Sequence, residues 1–143
     1  MPSPHGSGGA ARVLIVDDDV SVTDTFSRML RLEGYEVWAA LSADEGLTLA
    51  QTHKPHAIIL DLRMPIFGGV EFLRRLRSAN PDAGGAAPSV TIVTGDYFIE
   101  EPIASELRQL GAQVCFKPLW IDDLVDVVGR MLAPPPPSAD ACA

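Results

Sequence analysis

The feature that most constrains this chain is an alternation in which five short apolar runs are each followed by a stretch with helical spacing. The runs Arg12–Val16, Glu36–Ala39, His56–Leu60, Ser89–Val93 and Gln113–Phe116 have strand length. Val20–Glu33, Ala43–Thr52, Gly69–Ser78, Ile99–Leu110 and Ile121–Leu132 instead repeat their apolar residues at helical intervals. Val22, Phe26, Met29 and Leu30 can share one face of the first helix, and Leu124, Val125, Val128 and Leu132 one face of the last. His56–Leu60 does not alternate, as expected of a central parallel strand covered on both sides.

The punctuation agrees with the periodicity. Ser42 with Glu45 three residues on reads as a capping box, and Pro55 stops that helix. Gly34 and Gly111 follow helix ends, and Pro102 fits a first helical turn. Asn80–Pro88, with Gly84, Gly85 and two prolines, reads as a loop. Strands alternating with helices imply right-handed crossovers, hence one parallel sheet with helices on both faces. The expected fold is α/β, a flavodoxin-like doubly wound (βα)5 with a five-stranded parallel sheet in the order 2-1-3-4-5. At 143 residues the chain suits one domain. We place it at 11–133, between a Gly/Ser/Pro leader (1–10) and a proline-rich tail (134–143), both expected to be disordered.

Charge and composition exclude some classes. No apolar run approaches the roughly 18 residues of a membrane span, and no secretion signal opens the chain, so a cytoplasmic protein without membrane contact is expected. The net charge of −8 argues against nucleic acid as a partner. The dense basic group Arg74, Arg75 and Arg77 reads as a solvated helix face. Cys115 and Cys142 lack metal-ligand spacing, and Cys115 reads as a small buried hydrophobe suited to a reducing compartment. His5, His53 and His56 also lack ligand spacing.

Ligands of such sheets sit outside the carboxyl ends of the strands, at the switch point between the first and third. The residues there are Asp17-Asp18-Asp19, Asp61, Thr94-Gly95-Asp96 and Lys117-Pro118. Several carboxylates in one crevice repel unless a cation lies among them. An all-oxygen donor set favours Mg²⁺ or Mn²⁺. Asp17, Asp18 and Asp61 are then balanced by Lys117 and a divalent ion, leaving a neutral site that can receive an anionic phosphoryl group. A carboxylate nucleophile would make an aspartyl phosphate. Lys117 and the Thr94 hydroxyl would stabilise its oxygens, and Gly95 would leave room for the donor. Asp19 has the alternative role of a helix cap. Arg63 and Asp96, two residues beyond Asp61 and Thr94, are expected to approach one another, shield the phosphoryl group and slow its hydrolysis.

Four motifs in order carry a resemblance: Leu14-Ile-Val-Asp-Asp-Asp, Ile59-Leu-Asp-Leu-Arg-Met-Pro followed by Gly68-Gly69, Val93-Thr-Gly, and Phe116-Lys-Pro. From Arg12 to Leu132 the chain resembles response-regulator receiver domains of two-component signalling, of the stand-alone single-domain type. The resemblance implies that Asp61 is the phosphoacceptor and that Asp18 ligates Mg²⁺ directly. It implies Asp17 as a ligand directly or through water, and the Arg63 main-chain carbonyl as a further one. Thr94 would be the switch hydroxyl and Lys117 a phosphoryl contact, with a cis Lys117–Pro118 bond. The implied donor is a sensor histidine kinase or histidine phosphotransfer protein. Output would go to a protein partner or a homodimer through the fourth helix, fifth strand and fifth helix, near Tyr97, Phe98, Val114 and Trp120. No catalysis is implied beyond self-phosphorylation and slow autodephosphorylation.

The chain departs from the family pattern in places. Val114 stands where an aromatic residue is common, Phe67 and Gly68 where polar residues are common, and Trp120 where a capping residue would be ordinary. Other classes fit less well. A haloacid-dehalogenase-type phosphatase needs a second Asp where Arg63 stands, and a flavodoxin's phosphate loop would be repelled by Asp17–Asp19. A receiver-fold scaffold that works without phosphorylation remains the alternative.

Overall fold

The computed structural model describes residues 10–64, 68–79, 88–95, 99–116 and 121–132. In chain order the elements are β1 (Arg12–Val16), α1 (Val20–Leu32), β2 (Glu36–Ala40), α2 (Ala43–His53), β3 (Ala57–Asp61), α3 (Gly69–Ala79), β4 (Ser89–Thr94), α4 (Glu101–Gln109), β5 (Ala112–Phe116) and α5 (Ile121–Leu132). The five strands form one sheet in the order β2-β1-β3-β4-β5, every neighbouring pair parallel. This is the expected doubly wound topology. The leader and tail expectations fall on residues outside those described, apart from Ala10.

Strand alternation divides the core into two layers. Leu14, Val16, Ile58, Leu60, Val90 and Ile92 face one side and pack with Leu47, Phe72, Leu73 and Leu107 from α2, α3 and α4. Val13, Ile15, Ala57, Ile59 and Val93 face the other and pack with Leu30 of α1 and Leu124 and Val128 of α5. Truncating a fully buried leucine such as Leu124 costs about 2–5 kcal/mol. Cys115 is buried in this second layer, as expected, but is disulfide-bonded. The compartment argument from a free thiol therefore falls away. Among the described residues no helix is long and apolar enough to cross a membrane.

The caps follow the sequence. Ser42 Oγ accepts from the Glu45 N–H at 3.1 Å, while Glu45 Oε1 accepts from the Leu41 N–H at 2.9 Å. Gly34 and Gly111 take positive φ after α1 and α4. Lys54 does the same after α2, with φ 49° and a full side chain. Three elements differ from expectation where they reach the site, β4 among them, since it runs one residue further to take in Thr94. β3 runs one residue further and takes in Asp61. α4 begins at Glu101, because Glu100 is extended at φ −57° and ψ 144° ahead of Pro102, which sits in the first turn where no N–H is required.

Candidate functional site

The register of the sheet builds the site. Val16 on β1 pairs with Leu60 on β3, so Asp17 and Asp61 stand side by side one step further on. Both follow the parity of Ile15 and Ile59, on the α1 and α5 side of the sheet. Asp18 comes next in the turn into α1. One carboxylate oxygen from each of Asp17, Asp18 and Asp61 lies within 4.8 Å of the others. Asp17 is 5% exposed and Asp61 7%, whereas Asp18 is open to solvent.

Local hydrogen bonds fix these acids. The Asp17 N–H donates to Ala40 O at 3.1 Å, tying the end of β1 to β2. Asp17 Oδ1 accepts from the Asp19 N–H at 2.9 Å, which sets the turn. Asp19 is the N-cap of α1, with Oδ1 accepting from the Ser21 and Val22 N–H groups at 2.9 and 3.3 Å. The structure thus assigns Asp19 its capping role and leaves three acids for a cation.

Burying two carboxylates beside a third is unfavourable unless positive charge compensates. Three oxygen donors of hard character, one facing solvent, fit a divalent cation that keeps waters and accepts further oxygen ligands.

Thr94 ends β4 and is 1% exposed. Its neighbour Val93 pairs with Asp61 across the β3–β4 ladder, so the hydroxyl belongs to the same rim. Gly95 is exposed, and a Cβ built on it would meet nothing within 4 Å among the described residues. Arg63 is exposed two residues past Asp61. Val114 is half-buried against the α2/α3/α4 layer rather than presented outward. Phe67, Asp96, Tyr97, Phe98, Lys117, Pro118 and Trp120 lie outside the described residues, so the phosphoryl contact, the Arg63–Asp96 approach, the cis bond and three of the four output residues are not placed.

Sequence reading missed two features. A groove of about 680 Å³ runs between α3 and α4, lined by Leu62, Arg63, Gly68, Arg74, Ile103 and Glu106 among others. It begins at the chain segment that carries Asp61. Arg74 spans α3 and α4 through Glu106, so the basic group expected to be merely solvated includes an interhelical tie. Arg77, unlike the exposed Arg74, is half-buried, donating to Leu110 O and Pro88 O at 2.9 and 3.0 Å, and burial lowers its pKa. Each contact joins residues far apart in sequence, which helical periodicity cannot reveal.

Comparison with known proteins is consistent with this geometry. Residues 13–129 match the family described as response regulator receiver domain. The transcriptional regulatory proteins PrrA of Mycobacterium bovis and Mycobacterium tuberculosis are each 44% identical to the chain over 121 residues. That is 85% of this chain but 49% of either relative, so the chain spans about half their length. A CheY-like receiver domain protein from Methanospirillum hungatei superimposes with TM-score 0.75 at 28% identity, over 85% of this chain and 93% of that one. Vibrio cholerae chemotaxis protein CheY4 gives TM-score 0.75 at 29% identity, over 85% and 98%. The names of the PrrA relatives run against the expectation that no nucleic acid is involved, and that expectation is not carried forward.

Proposed function

This chain belongs to the response regulator receiver family of two-component phosphorelay signalling, and on that premise we propose that it takes a phosphoryl group onto Asp61 and reports the event to another protein. The observation that carries the reading is the convergence of the Asp17, Asp18 and Asp61 oxygens at the β1–β3 switch point. These three acids, with the Arg63 main-chain carbonyl, would hold Mg²⁺ or Mn²⁺. The cation would neutralise the carboxylates and the incoming phosphoryl oxygens.

The chain's own groups do the rest. An Asp61 carboxylate oxygen forms the bond to phosphorus as the P–N bond of a phosphohistidine breaks. The electron pair stays on the departing imidazole nitrogen. The Thr94 hydroxyl, held at the end of β4, donates to a phosphoryl oxygen, and Lys117 provides the balancing positive charge. Gly95 keeps the donor's path clear.

The donor in this proposal is a sensor histidine kinase or a histidine phosphotransfer protein, and the chain works in the cytoplasm. Its catalysis is confined to its own phosphorylation and slow dephosphorylation. We assign it a stand-alone mode of output, through a protein partner or a second copy across α4, β5 and α5. Phe116, 42% exposed at the end of β5, supports that face.

The deciding experiment is intact mass after incubation with acetyl phosphate and MgCl₂, for wild type and Asp61→Asn. Wild type should gain one phosphoryl mass that the variant lacks and that EDTA prevents. Equal gain in both proteins overturns the assignment of Asp61.

A further inference from the structure

The outward side of α5 carries two local costs that nothing among the described residues offsets. Leu124, Val127 and Val128 turn into the core, so Asp122, Asp126 and Gly129 fall together on the exposed side at helical spacing. Asp122 and Asp126 stand four residues apart, where like charges destabilise a helix. No described side chain pairs with either of them. A place in the first turn, near the helix N-terminus, accounts for Asp122 but not for Asp126. Gly129 lies inside the helix, where glycine is less stable than alanine. A Cβ on it would meet nothing within 4 Å among the described residues, so packing does not demand a glycine there. The preceding strand, β5, is an edge of the sheet and ends in Phe116. That residue is 42% exposed, the one aromatic among the exposed large hydrophobics of the described residues. Its ladder partner is Thr94, which places it one strand from the proposed switch hydroxyl.

We propose that Phe116 and the outward side of α5 form the docking surface for the output partner, and that this partner is a different protein presenting a basic segment with an apolar side chain. The apolar group covers Phe116, arginine or lysine meets Asp122 and Asp126, and the missing side chain at Gly129 lets the partner's chain come close to the helix. The inference rests on the reading of α4, β5 and α5 as the output face and names the chemistry of its occupant. A second copy of the chain fits less well. Closed dimers press the same patch of each copy against itself, and each copy carries a net charge of −8. Against Asp122, Asp123 and Asp126, the described part of α4 and α5 offers Arg108 and Arg130, and Arg108 is already bonded to Glu101 at 2.7 Å.

The test titrates the ¹⁵N-labelled full chain in MgCl₂, with and without beryllofluoride, with two synthetic probes. One is an amphipathic peptide with arginine on one face and leucine on the other, and the second has glutamate in place of every arginine. The arginine probe should shift amide resonances at Phe116 and along Asp122–Arg130, and the glutamate probe should not. Phe116→Ser, and Asp122→Asn with Asp126→Asn, should each weaken binding about fivefold. Glu33→Gln with Glu36→Gln removes the same charge beside β2, at the opposite edge of the sheet, and should keep wild-type affinity. Gly129→Gln should raise the melting temperature while weakening the probe, a pair of opposite effects that a purely structural glycine would not give. Equal response to both probes, shifts centred elsewhere, or undiminished binding in Phe116→Ser overturns the proposal. A sedimenting dimer that Phe116→Ser dissolves overturns it in favour of a second copy. Identical binding with and without beryllofluoride overturns the output role of the surface. Absence of phosphoryl gain on Asp61 in the mass experiment refutes instead the phosphoacceptor reading.

Discussion

The Arg74 guanidinium on α3 lies as a two-pronged fork on the Glu106 carboxylate of α4, with Nη2 donating to Oε1 at 2.7 Å and Nε donating to Oε2. Arg74 Nη1 also reaches Glu71 at 3.1 Å. α4 otherwise buries only Leu107 and has no side-chain cap at Glu100, so this fork is a main tie between the two helices flanking the groove. The hydrogen bond from Arg74 holds Glu106 below the usual carboxylate range. Glu71 is held low chiefly by Arg75 and then by Arg74.

A carboxylate with a depressed folded pKa contributes stability that is present above its unfolded pKa and lost as pH falls through the folded one. Denaturation midpoints measured from pH 7 downward should therefore show Glu106→Gln less stable than wild type at neutral pH. The gap should narrow as pH falls below the ordinary carboxylate range and vanish once wild-type Glu106, held low by Arg74, takes up its proton. It should also shrink in high salt, because the pair is exposed. A gap that stays constant with pH would mean that the fork adds nothing electrostatic.

How much of this was legible in the sequence depends on the reach of each interaction. The parallel sheet followed from the alternation of strands with helices, and its order from the common solution for five such strands. The three acids were legible because topology brings strand ends together whatever their side chains do. The sequence offered Asp19 a cap only as an alternative, since capping and ligation use the same carboxylate. The turn geometry separated them. The Arg74–Glu106 fork depends on how α3 and α4 lie against one another, which no local pattern encodes.

Removing the cation should expose the cost of the acid cluster. With Mg²⁺ at a hundred times its dissociation constant, the folded state gains about 2.7 kcal/mol by linkage. The melting temperature of wild type should thus rise on adding MgCl₂ and fall back with EDTA. Asp18→Asn should melt higher than wild type in EDTA, since it relieves like-charge repulsion beside Asp17 and Asp61. It should also gain little from MgCl₂. A variant that melts lower in EDTA while retaining the full Mg²⁺ response would show that the three carboxylates do not share an ion.

Lys54 offers a gain of stability remote from the chemistry. It closes α2 in the left-handed region at φ 49°, its N–H donating to Ala50 O at 3.0 Å. A non-glycine residue there costs roughly 1–2 kcal/mol, against about 0.5–1 kcal/mol for the extra unfolded-state freedom of glycine. The Arg12 guanidinium donates to the His53 and Lys54 carbonyls, both of which survive substitution by glycine. Lys54→Gly should therefore stabilise the protein by about 0.5–1 kcal/mol in urea denaturation at unchanged m-value. Destabilisation would show that the Lys54 side chain contributes more than its backbone conformation costs.

The lifetime of the phosphorylated state should be set beside the acceptor rather than within it. Arg63 is exposed two residues past Asp61, and we propose that its side chain covers the approach of water to a phosphoryl group there. Its main-chain carbonyl, by contrast, is the proposed cation ligand, and substitution of the side chain leaves that oxygen in place. Arg63→Ala should accordingly keep Mg²⁺ affinity and the extent of labelling by acetyl phosphate. It should shorten the phosphoaspartate half-life by about 3- to 10-fold, roughly 1 kcal/mol of barrier. Asp96→Ala should act in the same direction, and the double variant should exceed neither single one if the two side chains form one shield. Half-lives followed by intact mass after donor removal decide the matter. Unchanged lifetimes in both single variants would place control of hydrolysis elsewhere on the rim.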